Sequence, residues 1–263
     1  MILALDVGNT QIYCGVFAGS KLITQFRHGS TARMSSDEIG VFLRGALREN
    51  SVNPEDVQTV AISSVVPELN YSLRAACQKY FSIEPMLMRP GIKTGLKIAY
   101  KDPKEVGSDR IADAMGAVKL FPDRNLIVVD FGTATTVCAI AADRTFLGGN
   151  IMPGVRLAME ALEAKTSKLP SVEIKPARTA LGKTTVDSIQ SGLYWSNVGM
   201  VRELTRRITD EAFGGVPPLL IATGGFAHLF DREALFDHVV SDLILTGLLE
   251  ALRLNGYLQD SAT

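Results

Sequence analysis

Two short stretches of this chain set an aspartate two residues before a glycine, followed by hydroxyl or amide side chains: Asp6-Val7-Gly8-Asn9-Thr10 and Asp130-Phe131-Gly132-Thr133-Ala134-Thr135. At the bend of a hairpin this composition suits a polyphosphate. Glycine lets the backbone approach a ligand closely, and the turn amides with Asn9, Thr10, Thr133 and Thr135 offer donors to phosphate oxygens. An aspartate at the end of a buried strand can hold a cation, or a metal-bound water, beside those phosphates. Two such hairpins facing each other would grip the anion from both sides.

A third constellation, Gly107-Ser108-Asp109-Arg110, heads a helical stretch. An acid in a first helical turn commonly just complements the macrodipole; the chemical alternative is a general base beside an anion-holding arginine. Thr223-Gly224-Gly225 follows an apolar strand and reads either as a tight strand–helix turn or as an approach point for the nucleoside end of ATP. The familiar phosphate loops are absent from the sequence. There is no G-x-G-x-x-G, and Gly182-Lys183-Thr184 is no Walker A loop, because the glycine required five positions earlier is Ala177.

The elements that must carry these residues alternate between strand and helix. Apolar runs at 1–5, 12–17 and 22–26, punctuated by Asn-Thr and Gly-Ser breaks, predict an opening β-meander. Ile39, Phe42, Leu43 and Leu47 at helical spacing behind Ser35 and Ser36 predict a helix over 35–48. A strand over 57–63, a helix over 68–80 and a strand over 85–88 follow. The second half is expected to run helix 109–120, strands 126–130, 135–142 and 146–151, a long helix 185–213, a strand 219–222 and a closing helix 243–254. Such alternation defines an α/β chain.

The halves also echo each other. Setting 3–17 over 127–141 without a gap puts Asp6 on Asp130, Gly8 on Gly132 and Cys14 on Cys138, an offset of 124 residues and close to half the chain. A duplicated domain explains that offset best.

Composition removes several function classes. The chain has 263 residues, 46% of them hydrophobic, enough for a proper core. Its 27 Lys and Arg nearly cancel its 28 Asp and Glu, so the basic excess of a dedicated nucleic-acid binder is missing. Cys14, Cys77 and Cys138 stand far apart, which excludes a zinc ribbon and argues against a disulfide scaffold. No basic stretch precedes the first apolar run, so no signal peptide is expected. The most apolar stretches, 126–142 and 243–258, are broken by Asp130 and by Glu250 and Arg253, short of the ~20 residues a bilayer needs. A cytoplasmic protein is the expectation, without nucleic-acid or membrane partners.

Taken in order, Asp6-Val7-Gly8-Asn9-Thr10, Gly107-Ser108-Asp109-Arg110, Asp130-Phe131-Gly132-Thr133-Ala134-Thr135-Thr136, Gly148-Gly149-Asn150-Ile151-Met152-Pro153-Gly154 and Thr223-Gly224-Gly225 resemble the type III pantothenate kinases. That family lies in the superfamily of acetate and sugar kinases, heat-shock-70 proteins and actin. The resemblance spans essentially the whole chain. It implies two similar actin-like (ribonuclease H-like) α/β domains from an internal duplication, residues 1–120 and 121–263, with the active site in the cleft between them. The last helix, about 243–256, is expected to pack back on the first domain.

The activity implied is phosphorylation of the primary hydroxyl of pantothenate by ATP, the first step toward coenzyme A. ATP binding is carried onto Asp6, Val7, Gly8, Asn9, Thr10, Gln11, Ile12 and Tyr13, with Gly132 and Thr133, and with Gly224 and Gly225. The catalytic base falls on Asp109. Pantothenate contacts fall on Tyr100, on Gly107, Ser108, Asp109 and Arg110, and on a threonine of the Gly182-Lys183-Thr184-Thr185 stretch, Thr185 being favoured. The cofactors implied are Mg²⁺, held by Asp6 through water, and a monovalent cation, K⁺ or NH₄⁺, on Asp130. The family is dimeric. Two alternatives stand beside this one: another small-molecule kinase of the superfamily, for sugars or acetate, and a non-catalytic ATP-binding regulator on the same fold.

Overall fold

The opening apolar runs pair as the alternation requires. In the computed structural model, which describes residues 1–258, β1 (Ile2–Val7) and β2 (Gln11–Ala18) are antiparallel, with Leu5 opposite Cys14 and Asp6 opposite Tyr13. β3 (Lys21–Gly29) extends the meander as an edge strand, one face half-buried and the other exposed. α1 (Ser36–Glu49) starts at a capping box: the Ser35 hydroxyl accepts from the Glu38 amide at 3.2 Å and the Glu38 carboxylate accepts from the Ser35 amide at 2.7 Å. β4 (Thr59–Ser64) returns parallel to β1. The helix expected at 68–80 begins instead as a single 3₁₀ turn, Pro67–Leu69, and α2 runs Asn70–Phe81. β5 (Met86–Leu87) completes a sheet of order β3-β2-β1-β4-β5. Leu3, Leu5, Val7, Ile12, Cys14 and Ile62 line one face and pack on Ile39, Leu43, Leu47, Leu73 and Cys77 of α1 and α2.

After β6 (Lys97–Ile98) and α3 (Ser108–Leu120) the pattern repeats. β7 (Leu126–Phe131), β8 (Ala134–Ile140) and β9 (Thr145–Pro153) form a second antiparallel meander. α4 (Val155–Lys165) and α5 (Thr185–Phe213) then lead to β10 (Leu219–Thr223), parallel to β7, and to β11 (His238–Val239). The chain closes with α6 (Leu243–Leu254). The second sheet reads β11-β10-β7-β8-β9-β6, which is the order of the first sheet with one strand added beside the meander. Ile127, Val129, Phe131, Val137 and Ala139 form its core face against Met159 of α4 and Leu193, Tyr194, Val198 and Val201 of α5. α4 follows the glycine-rich stretch 148–154, and its Leu, Ala, Met and Glu content is that of a strong helix former.

The duplication is real, but the ungapped alignment slips at the hairpin. Asp6 pairs with Tyr13, whereas Asp130 pairs with Thr136 rather than Val137, so the second turn is one residue shorter. A one-residue slip moves every side chain to the opposite face. Cys14 accordingly sits in the helix-covered core of its sheet, while Cys138 stands opposite Val128 on the other face of its own. The matched cysteines are not structural equivalents; the aspartates and glycines before the turn are.

The chain forms two compact units. One contains residues 1–95, Asp102–Lys119 and, of the described residues, 243–258; the other contains Leu96–Lys101 and Leu120–Asp242. Leu96–Lys101 joins the second because β6 pairs with β9. α6 joins the first through close backbone approach to α3, where a Cβ at Gly247 would overlap the Ala112 carbonyl. No helix among the described residues is long and apolar enough to cross a membrane.

Candidate active site

In the first unit the β1–β2 turn is closed by the Gly8 amide donating to the Gln11 carbonyl at 2.9 Å. Asn9, Thr10 and Gln11 are exposed at its tip, and Asp6 is half-buried at the end of β1. Val7 and Ile12 point into the core, so any ligand contact from them runs through the main chain. Tyr13 is buried, its hydroxyl donating to Gln25 and its ring lying 3.9 Å beneath the Arg27 guanidinium carbon. Arg27, Tyr13, Asp6 and Ser63 stand in one register row across β3, β2, β1 and β4. Paired residues share a face, so the row is a polar strip beside the turn. Nothing in the sequence marks Arg27 or Ser63; only strand pairing brings them to Asp6.

Ser63 is fully buried and donates to the Ser108 hydroxyl at 3.1 Å, which donates in turn to the Ser64 carbonyl at 3.0 Å. Asp109 follows Ser108 in the first turn of α3. Its Oδ1 accepts the Arg110 amide at 2.7 Å. Burial pushes the Asp109 carboxyl above the ordinary aspartate range, opposed by that hydrogen bond and by the Arg110 charge. A desolvated carboxylate at a helix start is a better proton acceptor than a solvated one. Arg110 is only 5% exposed, as is Asp113 one turn on, so the Asp109 carboxylate is flanked in sequence by a buried cation and by Ser108, which is tied to the end of β4.

In the second unit Asp130 ends β7 beside two glycines. Gly132 lies in the β7–β8 turn, and a Cβ there would meet Asp130 Oδ2 at 3.4 Å. Gly224, at φ +88°, leaves no room for a Cβ against Asp130 Oδ1 and the Phe131 backbone. Parallel pairing of Thr223 with Asp130 creates this juxtaposition across 94 residues of sequence. Gly225, the next residue, has open space around it. The Thr133 carbonyl accepts the Gly154 amide at 3.1 Å, which ties the turn to the head of α4.

Tyr100 belongs to this unit, its ring centred 6.1 Å from that of Phe146 and close to Gly148. Thr184 and Thr185 differ in employment. The Thr184 hydroxyl caps α5 by accepting the Asp187 amide at 3.1 Å, while Thr185 is exposed. Asp6, Gly107, Ser108, Asp109 and Arg110 are thus brought together in the first unit, and Asp130, Gly132, Thr133, Gly224 and Gly225 in the second.

Among the described residues, no three His, Cys, Asp or Glu side chains cluster as a metal cage. A divalent cation at Asp6 would therefore complete its shell with phosphate oxygens and water, as Mg²⁺ commonly does in phosphoryl-transfer sites. The Asp130 carboxylate, close to Gly132 and Gly224, is the group that would hold a monovalent cation in this unit.

Comparison with known proteins agrees with this architecture. A family model described as type III pantothenate kinase matches residues 2–207. A type III pantothenate kinase of Legionella pneumophila (strain Corby) is 53% identical over 97% of this chain and 99% of its own length. Type III pantothenate kinase 1 of Francisella tularensis subsp. holarctica (strain OSU18) is 48% identical over 94% and 97%. Among solved structures, a ROK family glucokinase from Streptomyces griseus, in complex with glucose and AMPPNP, covers 98% of this chain and 99% of its own at 15% identity with a TM-score of 0.50. At that identity it speaks to the fold alone, a duplicated actin-like sugar-kinase fold. With relatives about half identical along nearly their entire length, the chain belongs to the type III pantothenate kinase family.

Proposed function

We propose that this protein transfers the γ-phosphoryl group of ATP to the primary hydroxyl of pantothenate, yielding 4'-phosphopantothenate and ADP at the entry to coenzyme A biosynthesis. The observation that carries the residue assignments is the desolvated carboxylate of Asp109 at the head of α3, within Gly107-Ser108-Asp109-Arg110. Phosphoryl transfer asks the protein for position and charge stabilisation more than for covalent chemistry.

In this reading Asp109 receives the hydroxyl proton as the O–P bond forms. Arg110, charged at any working pH, offsets the pantothenate carboxylate or the moving phosphoryl group. The 6–13 hairpin, with Gly132 and Thr133, holds the ATP phosphates through turn amides, and Gly224 and Gly225 leave room for its nucleoside. Tyr100 and the exposed Thr185 contact pantothenate. Mg²⁺ near Asp6 supplies charge neutralisation at the phosphates, and a monovalent cation on Asp130 adds to it. The reading extends to a homodimer, and to a cytoplasmic protein without nucleic-acid or membrane partners; three free cysteines support the reducing compartment and near-balanced charge speaks against a nucleic-acid partner.

An ATP-consumption assay with pantothenate, run beside a panel of sugars and acetate, tests the function. ADP release should depend on pantothenate. Turnover with a sugar or acetate instead, or no turnover with any acceptor, overturns the proposal.

A further inference from the structure

We infer that Ser63 is a positioning residue for the transfer: through Ser108 it fixes the first turn of α3, and with it the Asp109 carboxylate, against the end of β4 in the row that holds Asp6. This rests on the reading of Asp109 as the base.

The middle of β4 is apolar, with Val60, Ala61 and Ile62 fully enclosed. A serine in that run at 0% exposure must find a hydrogen-bond partner or lose stability. Its partner lies 45 residues away, at the start of the helix that carries Asp109. A hydroxyl has one proton to give. Ser63 gives its proton to Ser108, and Ser108 gives its own to the Ser64 carbonyl. The Ser108 proton is therefore spent inside the protein. Within Gly107-Ser108-Asp109-Arg110 the serine ties helix to strand, and substrate chemistry is left to its neighbours.

The strand end is itself anchored. The Val65 amide donates to the Val7 carbonyl at 3.0 Å, and the Ser64 hydroxyl both donates to the Val66 carbonyl and accepts the Val66 amide. β1, which carries Asp6, and α3, which carries Asp109, are thus referred to one rigid point. Ser63 occupies it, opposite Asp6 in the parallel register.

The test is a double-mutant cycle of Ser63→Ala, Ser108→Ala and the pair, with kcat, KM for ATP and for pantothenate, the pH profile of kcat and the thermal midpoint measured for each, and Asp109→Asn run alongside. Displacing a catalytic group by about 1 Å can cost on the order of 10²-fold. Each single change should lower kcat roughly 10- to 100-fold with KM values within about threefold, and should move the acid limb of the pH profile. The pair should do no more than Ser108→Ala alone, because that change already breaks both the bond from Ser63 and the bond to the Ser64 carbonyl. A folded Ser63→Ala enzyme with normal kcat, a change confined to KM, or additive losses in the pair overturns the inference. If Ser63→Ala does not fold, the half-buried Ser108→Ala carries the same expectation, and normal kcat there is equally fatal. Should Asp109→Asn retain most activity, the base assignment fails and the tie fails with it. An inactive Asp109→Asn beside an unimpaired Ser63→Ala sinks the tie alone.

Discussion

The Asp109 carboxylate folds back over Gly107 so closely that a Cβ at 107 would overlap its Oδ1. The glycine is there for room, since its backbone lies outside the left-handed region. Gly107→Ala should therefore leave the fold in place and push the carboxylate off the Arg110 amide. We expect kcat to fall roughly 10- to 100-fold, with stability changed by less than about 1 kcal/mol. Steady-state kinetics beside a thermal melt check this; unaltered kcat means the carboxylate works from another rotamer.

Asp109 makes a pH prediction with a definite sign. Its carboxyl is raised in the folded protein, so between the ordinary aspartate value of about 3.9 and the raised one the native state binds more protons than the unfolded chain. Stability from this group is present below that window and declines as pH rises through it. Asp109→Asn removes the cost, and should melt higher than wild type at neutral pH with the gain vanishing near pH 4. The same change should cost about 10²–10⁴ in turnover. The wild-type rate should fall on its acid side at a pH above the usual aspartate range. Melting curves and rates across pH decide both halves.

Gly224 meets two demands at once, a backbone at φ +88° and contact with Asp130 and the Phe131 main chain. Gly224→Ala should cost about 1–3 kcal/mol from backbone strain alone and displace the Asp130 carboxylate. Asp130→Ala should keep the fold and lose stimulation by potassium or ammonium. Thermal melts and rates in sodium, potassium and ammonium separate these effects. A wild-type enzyme indifferent to the cation leaves Asp130 without the proposed role.

The homodimer is tested by mixing. α5 exposes Thr185 and Val186 and has open space beside Gly192 and Gly199; in the proposed dimer this face would meet the neighbouring copy. Mixing inactive Asp109→Asn with inactive Thr185→Trp should restore activity if Thr185 serves a neighbour's site. No recovery on mixing, or light scattering that shows a monomer at assay concentration, removes the proposal.

Local chemistry was legible in the chain by itself. Alternation and capping placed the meanders, α1 and the 29-residue α5, because each is decided by residues within a few positions of one another. The two Asp-x-Gly turns and the head of α3 were visible for the same reason. Register was not: the shorter second hairpin depends on cross-strand pairing and put Cys138 on a face its sequence match denied. Nor could the sequence join Ser63 to Ser108, Arg27 to Tyr13 and Asp6, or Gly224 to Asp130. Those contacts exist because the head of α3 lies against the end of β4, β2 beside both β1 and β3, and β10 beside β7. Which strands lie side by side is settled by burying a common core, a property of the whole chain that no local stretch of residues encodes.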